Sequence, residues 1–288
     1  GAGKTTMVKG LVSALKLLKL SLKITAPTGK AAKRIAAEGL QSYFPSTIHS
    51  YLSKFEQKSD KVFDFMIVDE SSMIDINLMQ ELLGSIPDKT SIVLIGDADQ
   101  LPPVGPGQVF KDLIESQTIP VVRLTGNYRQ HLMSDISKAA RSIVKGNVPD
   151  FTDNYNDNEF SLIETARGYQ ANKILDLYLF KLPKLLNVDM DQIQILSPMR
   201  DGEVGVNNLN YLIQKKLTAN GNPLFSKKNK NNEIHFYAND KVIMRKNKVK
   251  ELGLVNGDIG VLIRKSGNEI ITEFENKGAV KFKQNQIY

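Results

Sequence analysis

The sequence predicts an α/β protein, a parallel β-sheet covered on both faces by helices and followed by a small β-barrel. Three observations carry that expectation. Strand-like apolar runs alternate with helical patterns up to residue 233, the order that builds a parallel sheet. Phe65-Met66-Ile67-Val68 is unbroken apolar, as a strand buried on both faces is, and it ends on two acids, Asp69-Glu70. From residue 234 short runs are punctuated by Asn256-Gly257, Ser266-Gly267 and Lys277-Gly278, which is hairpin composition.

Taken in order, the chain opens with Gly1-Ala2-Gly3-Lys4-Thr5-Thr6. This is the end of a phosphate-binding loop, whose pattern is Gly, four residues, then Gly-Lys-Ser/Thr. The first Gly of that pattern, and the strand feeding it, would lie before residue 1. Over residues 5–20, Met7, Val8, Leu11, Val12, Leu15 and Leu18 fall at helical spacing,. Residues 22–26 read as a strand, and the Ala-rich residues 30–38 as a helix closed by Gly39. Strands are expected at 62–68, 91–95 and 120–124, with an amphipathic helix at 77–83. A second unit starts near Thr125, with helices at 132–145, 170–182 and 206–217 and a buried strand at 192–196. The acidic, Asn-rich stretch 150–159 reads as a loop. Residues 226–232 place Lys227, Lys228 and Lys230 among asparagines and read as a mobile basic loop. Strands at 241–244, 259–263, 269–274 and 279–282 complete the barrel.

A length of 288 residues suits about two domains,. No apolar run reaches the roughly 18 residues of a membrane span, so no membrane partner is expected and a cytoplasmic location is the default. The absence of cysteine excludes disulfides and thiolate metal sites,, and His49, His131 and His235 form no ligand pattern. A net charge of +7 suits a nucleic-acid partner,, although many basic proteins bind no polyanion.

The chemistry concentrates in three places. In a phosphate-binding loop the backbone N–H groups and the helix N-terminus cradle phosphates. Lys4 would reach the β- and γ-phosphates of ATP, and Thr5 would hold Mg²⁺; the plain alternative is a chance Gly-Lys-Thr before a helix. An acid ending a buried strand needs a cation or partner. Asp69 would therefore serve Mg²⁺, and Glu70 would orient the attacking water; the alternative is a strand-end turn with solvated acids. Gln100, after the strand at 91–95, would sense the γ-phosphate or position water, and on its own reads equally as a polar turn residue. Pro102-Pro103 stiffens the exit from this turn.

These segments, with others in order, resemble superfamily 1 DNA helicases of the RecD/TraA kind. Residues 1–6 resemble motif I. Thr25-Ala26-Pro27-Thr28-Gly29-Lys30-Ala31-Ala32 is similar to motif Ia, and Thr47-Ile48-His49-Ser50-Tyr51-Leu52 to Ib. Asp69-Glu70-Ser71-Ser72-Met73 resembles motif II, residues 96–107 motif III, and Leu124-Thr125-Gly126-Asn127-Tyr128-Arg129-Gln130 motif IV. Leu196-Ser197-Pro198-Met199-Arg200, with Gly205-Val206-Asn207-Asn208-Leu209-Asn210, resembles the family's next segment. Asn239-Asp240-Lys241-Val242-Ile243-Met244, with Asn256-Gly257-Asp258-Ile259-Gly260, resembles the entry to an SH3-like insert.

The resemblance implies a P-loop NTPase of two RecA-like parallel-sheet units, 1–124 and 125–233, with the SH3-like β-barrel at 234–288. It implies ATP, bound through Gly1, Ala2, Gly3, Lys4, Thr5 and Thr6, with Mg²⁺ on Thr5 and Asp69. Lys4, Asp69, Glu70, Gln100 and Arg129 would serve catalysis, Arg129 as an arginine finger. Thr28, Lys30, His49, Pro102, Pro103, Lys241 and Arg245 would line single-stranded DNA, the last two within a basic stretch that runs on to Lys246, Lys248 and Lys250. Lys30, Lys33 and Arg34 form a basic cluster that reads equally as a phosphate track or a solvated helix face. Single-stranded DNA, duplex junctions and other subunits of a repair or recombination complex are the implied partners, and the implied motion is 5′ to 3′. A later Thr-x-His-Lys-x-Gln-Gly motif of the family is absent, so a core clipped at both ends is expected, its first sheet destabilised unless other polypeptide fills the gap. The rival reading is a non-catalytic nucleic-acid-binding fragment. A P-loop GTPase or kinase is disfavoured, because no guanine-reading Asn-Lys-x-Asp is present.

Overall fold

A computed structural model describes residues 3–55, 62–124, 134–149, 151, 160–218, 221–228, 233–245, 252–254, 256–275 and 277–287. The expected loop at 150–159 lies almost wholly outside them. By its contacts the chain divides into two units, Gly1–Met133 with Ile243–Asp258, and Ser134–Val242 with Ile259–Tyr288.

In the first unit, Gly3 takes a left-handed backbone (φ 82°) and caps α1 (Lys4–Leu17), a conformation glycine adopts without penalty. Val8, Val12 and Leu15, spaced by four and three residues, are the face this helix buries,. β1 (Leu22–Ala26) follows, then α2 (Gly29–Ile35), whose N-cap Thr28 accepts from the Ala31 N–H at 3.2 Å. One π-helical turn (Ala36–Leu40) prolongs α2, with Gly39 at φ 92°. β2 (Ser46–Thr47), α3 (Ile48–Phe55), β3 (Phe65–Val68), α4 (Ile76–Ser85), β4 (Ser91–Leu94) and α5 (Val109–Ser116) complete the unit's regular elements.

The strands form one parallel sheet in the order β2-β1-β3-β4. Its two faces carry separate cores. Val8, Val12, Leu15, Ile24, Ile35 and Ile67 fill one, and Ile48, Met66, Val68, Ile74, Met79 and Leu82 the other. Ile67 thus faces α1 and α2, while its neighbours Met66 and Val68 face α3 and α4, as the alternation of a strand requires. Among the described residues β2 and β4 are the edge strands, and the side chains of β4 are exposed or half-buried where Met66, Ile67 and Val68 of β3 are buried.

The run expected as a strand at 120–124 is not one. It has no ladder partner among the described residues, and Val122 is 83% exposed. The strand expected at 192–196 is absent for the same reason, with Leu196 88% exposed. A parallel strand exists only through its neighbours' hydrogen bonds, so an apolar run without them stays open chain.

The second unit holds α6 (Asp135–Val144), α7 (Gln170–Asp176), α8 (Leu182–Leu186) and α9 (Val206–Leu217). The expected helix at 170–182 runs on past its predicted end through a π-turn (Leu177–Lys181) into α8. Pro183 falls at the second position of α8, directly after the π-turn. β5 (Phe225–Lys228) and β6 (Glu233–Phe236) pair antiparallel. Residues 226–228, expected as part of a loop, are therefore strand, because stacked Phe225 and Phe236 rings (4.6 Å between centroids) anchor the pair; residues 229–232 lie outside the described ones. β7 (Lys241–Ile243), β8 (Ile259–Ser266), β9 (Glu269–Phe274) and β10 (Gly278–Lys283) form a four-stranded sheet in the order β10-β9-β8-β7, antiparallel where β8–β9 and β9–β10 pair. Phe225, Leu262 and Ile270 form a buried cluster. Between β7 and β8, Met244 N–H donates to Asp258 O and Gly257 N–H to Met244 O, both at 2.8 Å; Lys246, Lys248 and Lys250 of the expected basic stretch lie outside the described residues. No helix among the described residues is long and apolar enough to cross a membrane.

Candidate functional site

The acids Asp69 and Glu70 follow β3 directly. The Asp69 N–H donates to Thr25 O of β1 at 3.0 Å, continuing the ladder past the end of the strand. The side chain of Asp69 is thereby carried into the interior, 5% exposed. Its Oδ1 accepts the Glu70 N–H at 2.9 Å, and its Oδ2 has a long 3.5 Å contact with Arg34. Glu70 sits in the left-handed region (φ 54°, ψ 38°), uncommon for a residue with a side chain and a signature of functional positions. The turn is pinned on its far side by Ser71 N–H to Ile95 O at 2.8 Å and Ser71 Oγ to Val68 O at 2.8 Å.

Arg34, on α2, grips Glu70 Oε1 at 2.8 Å. Burial works against its charge, but the hydrogen bond and charge of Glu70, and then those of Asp69, outweigh it and leave the guanidinium raised above its ordinary value. Sequence reasoning placed Arg34 in a basic cluster and did not find this pairing. The one available signal was that two acids at a buried strand end need a cation.

Lys4 and Thr5 open α1 and are half-buried, and Thr6 is exposed. Among the described residues Lys4 forms no ion pair. The left-handed Gly3 followed by the first turn of a 14-residue helix presents free backbone N–H groups,. Gly1, Ala2 and Arg129 lie outside the described residues. The residues present fit a Mg²⁺–phosphate ligand. Mg²⁺ takes one or two carboxylates together with phosphate oxygens, and buried Asp69 keeps acceptor capacity on Oδ2.

Gln100, Pro102 and Pro103 gather with Ser72, Phe110 and Lys111 around a cleft of only about 10 Å³. That is room for a single water, so the cleft marks packing of the 96–107 segment onto the turn after Glu70. Two glycines make this packing possible. A Cβ on Gly96 would meet the Ser72 backbone nitrogen at 2.9 Å, and one on Gly105 would overlap the Asp75 carboxylate. Of the residues expected to line DNA, Lys30 and His49 are exposed on α2 and α3, and Thr28 is the α2 cap. Lys241 is paired with Asp191 at 2.9 Å, and Arg245 is exposed just after β7.

Residues 1–165 match the family model described as AAA domain. The chain belongs to the AAA domain family. The chain is 29% identical over 282 residues to the ATP-dependent RecD2 DNA helicase of Deinococcus radiodurans, covering 96% of the chain and 36% of that protein. It is 28% identical to the conjugal transfer protein TraA of Rhizobium radiobacter, covering 94% of the chain and 24% of the relative. The chain therefore spans about a third or less of the length of these relatives. The Bacteroides Pif1 helicase, solved with ADP-AlF3 and single-stranded DNA, shares its fold at a TM-score of 0.54 and 18% identity, with 98% of this chain and 68% of that one covered. The AAA domain is of the RecD/TraA-like superfamily 1 helicase kind.

Proposed function

We propose that this chain is the motor core of an ATP-dependent DNA helicase that moves on single-stranded DNA, 5′ to 3′ by likeness to its relatives, and opens duplex. The observation that carries this reading is the acid pair at the end of a buried parallel strand, in a sheet packed against a helix that begins Gly3-Lys4-Thr5. Gly3, the first turn of α1 and Lys4 bind the triphosphate. Thr5 and Asp69 would hold Mg²⁺, which when bound offsets the charge on the phosphates. Glu70 accepts from and orients the attacking water, and Gln100 senses the γ-phosphate. Arg129 would supply an arginine finger, worth about 10³–10⁵ in rate where such a finger acts.

In this reading residues 1–124 and 125–233 are RecA-like units and 234–288 an SH3-like insert. Thr28, Lys30, His49, Pro102, Pro103, Lys241 and Arg245 would each contact the strand. Contacts with duplex junctions, and with other subunits of a repair or recombination complex, belong to the whole protein.

The test is ATP turnover with and without single-stranded DNA, with Lys4→Ala as control. DNA-stimulated turnover that drops at least about 100-fold in Lys4→Ala supports the reading, since charge-stabilising donors at this kind of site are worth that much. Turnover equal in the variant sinks the assignment of the phosphate site. No turnover with salt-sensitive DNA binding retained favours the rival, a non-catalytic binding module.

A further inference from the structure

Glu70 is held at both ends. Its backbone sits in the left-handed region (φ 54°, ψ 38°), and Ser71 pins the turn to Ile95 and Val68. These constraints set the direction in which the side chain leaves the backbone. Several rotatable bonds still separate that anchor from the carboxylate. Arg34 settles where the carboxylate ends, with Nη2 at 2.8 Å from Oε1. Among the described residues Glu70 Oε2 accepts from no protein group. One oxygen of the acid is thus held and the other is left to accept.

The arginine is itself mounted on a fixed element. Ala31, Ala32 and Ile35 of α2 lie in the same core cluster as Ile67 of β3, so the helix bearing Arg34 and the strand ending in the acids are packed together. Packed helices and strands hold a functional geometry better than loops do. The charges match as well. Asp69 and Glu70 are adjacent carboxylates, both largely shielded from solvent, and like charges so placed need a compensating cation. The same Nη2 lies 3.5 Å from Asp69 Oδ2. The Lys9–Glu38 pair, 2.7 Å long, offers the contrast: it joins α1 to the π-turn after α2 through two well-exposed side chains.

From this geometry we infer that Arg34 is a positioning residue for ATP hydrolysis. It holds Glu70 by Oε1, leaves Oε2 to accept from the attacking water, and lets the two acids lie side by side. The inference rests on the reading of Glu70 proposed above. Arg34 acts through Glu70 and touches neither nucleotide nor water. A carboxylate released from this hold samples positions about 1 Å or more from the productive one, and misplacement of that size costs about 10²-fold in rate.

The experiment compares the full chain as wild type, Arg34→Gln, Arg34→Lys, Glu70→Gln, Arg34→Gln/Glu70→Gln and Lys9→Gln. Turnover of Mg²⁺-ATP with oligo-dT gives kcat and KM, and binding of a fluorescent non-hydrolysable ATP analogue is followed separately. Arg34→Gln should lower kcat about 10- to 100-fold, the usual loss when a partner that orients a functional carboxylate is removed. It should bind the analogue no more weakly than wild type. Arg34→Lys keeps a cation on Glu70 and recovers part of the loss, and Lys9→Gln behaves as wild type. In the Glu70→Gln background Arg34→Gln costs about twofold or less, because the carboxylate it positions is gone. Urea melts of the nucleotide-free proteins should show non-additive losses for Arg34→Gln and Glu70→Gln, reporting the pair without any turnover. Turnover that depends on Lys4 and Glu70 but is unchanged in Arg34→Gln overturns this inference alone. So does a loss that is as large in the Glu70→Gln background, that falls only on KM and analogue affinity, or that Arg34→Lys does not relieve, since each marks a purely structural tie. Turnover that is absent in wild type, or survives Lys4→Ala or Glu70→Gln, overturns the functional reading and this inference with it.

Discussion

Gly105→Ala is expected to be among the costlier single methyl additions in the first unit. Gly105 lies over the start of α4, where Pro106 O accepts the Ile76 N–H at 2.9 Å. Its added Cβ would overlap the Asp75 carboxylate and come within 2.9 Å of Asp75 Cβ, so rotation of the carboxylate alone gives no relief. That carboxylate is the α4 N-cap, accepting the Leu78 N–H at 2.8 Å. Displacing it costs about 1 kcal/mol for the cap, and overpacking adds about 1–3 kcal/mol. Gly105→Ala should therefore lose about 2–4 kcal/mol, and Asp75→Ala about 1 kcal/mol. The double variant Asp75→Ala/Gly105→Ala should lose about 2 kcal/mol, less than the two losses together, because the carboxylate overlap is gone and the cap is lost only once while the Asp75 Cβ stays 2.9 Å from the added methyl; that corresponds to a coupling of about 1–3 kcal/mol,. Urea unfolding with a common slope measures all three. Additive losses in the double variant would refute the argument.

Two further predictions concern stability. Asp64 is clamped by the Ser21 hydroxyl and the Ser21 N–H, both at 2.7 Å, and these bonds hold its carboxyl below the ordinary Asp value. A depressed folded value means that the clamp contributes fully above the ordinary value, about 3.9, and is lost as pH falls through the folded one. The stability gap between wild type and Ser21→Ala should thus be flat above about pH 5 and close towards pH 2; a gap independent of pH in urea melts contradicts the assignment. Gly260 faces Phe274 across β8 and β9, and a Cβ there would meet its ring at 2.8 Å. Gly260→Ala should cost about 1–3 kcal/mol, with much of the loss recovered in a Phe274→Leu background; no recovery means that the ring is not the obstacle.

What the sequence made legible was local. The extents of β1 and α9 follow from residues 22–26 and 206–217 alone, because apolar spacing and the Gly205 boundary are short-range signals. The burial of Asp69 follows from the unbroken strand before it. What stayed hidden depended on partners far along the chain. Residues 120–124 and 192–196 have the composition of strands, but strand formation is decided by pairing and not by the run itself. Ser226, Lys227 and Lys228 look like a loop until Phe236 supplies the ring on which Phe225 stacks. Arg34 resembled its neighbours Lys30 and Lys33 in the sequence, yet the three diverge in space: one is exposed, one is bonded to Asp258, and one is bonded to Glu70. A charge cluster in sequence is therefore not evidence of a shared target, since helical rotation sends each member a different way.

The edge position of β4 has a practical consequence. Among the described residues the outer side of Ser91-Ile92-Val93-Leu94 has no ladder partner, and the strand holds no lysine, proline or bulge, the devices by which edge strands refuse strangers. Ile92 and Val93 already lean into the two cores, so an incoming parallel strand would find two half-made apolar surfaces waiting. Among the described residues this edge is open to a further strand. It is where a grafted parallel strand should anneal.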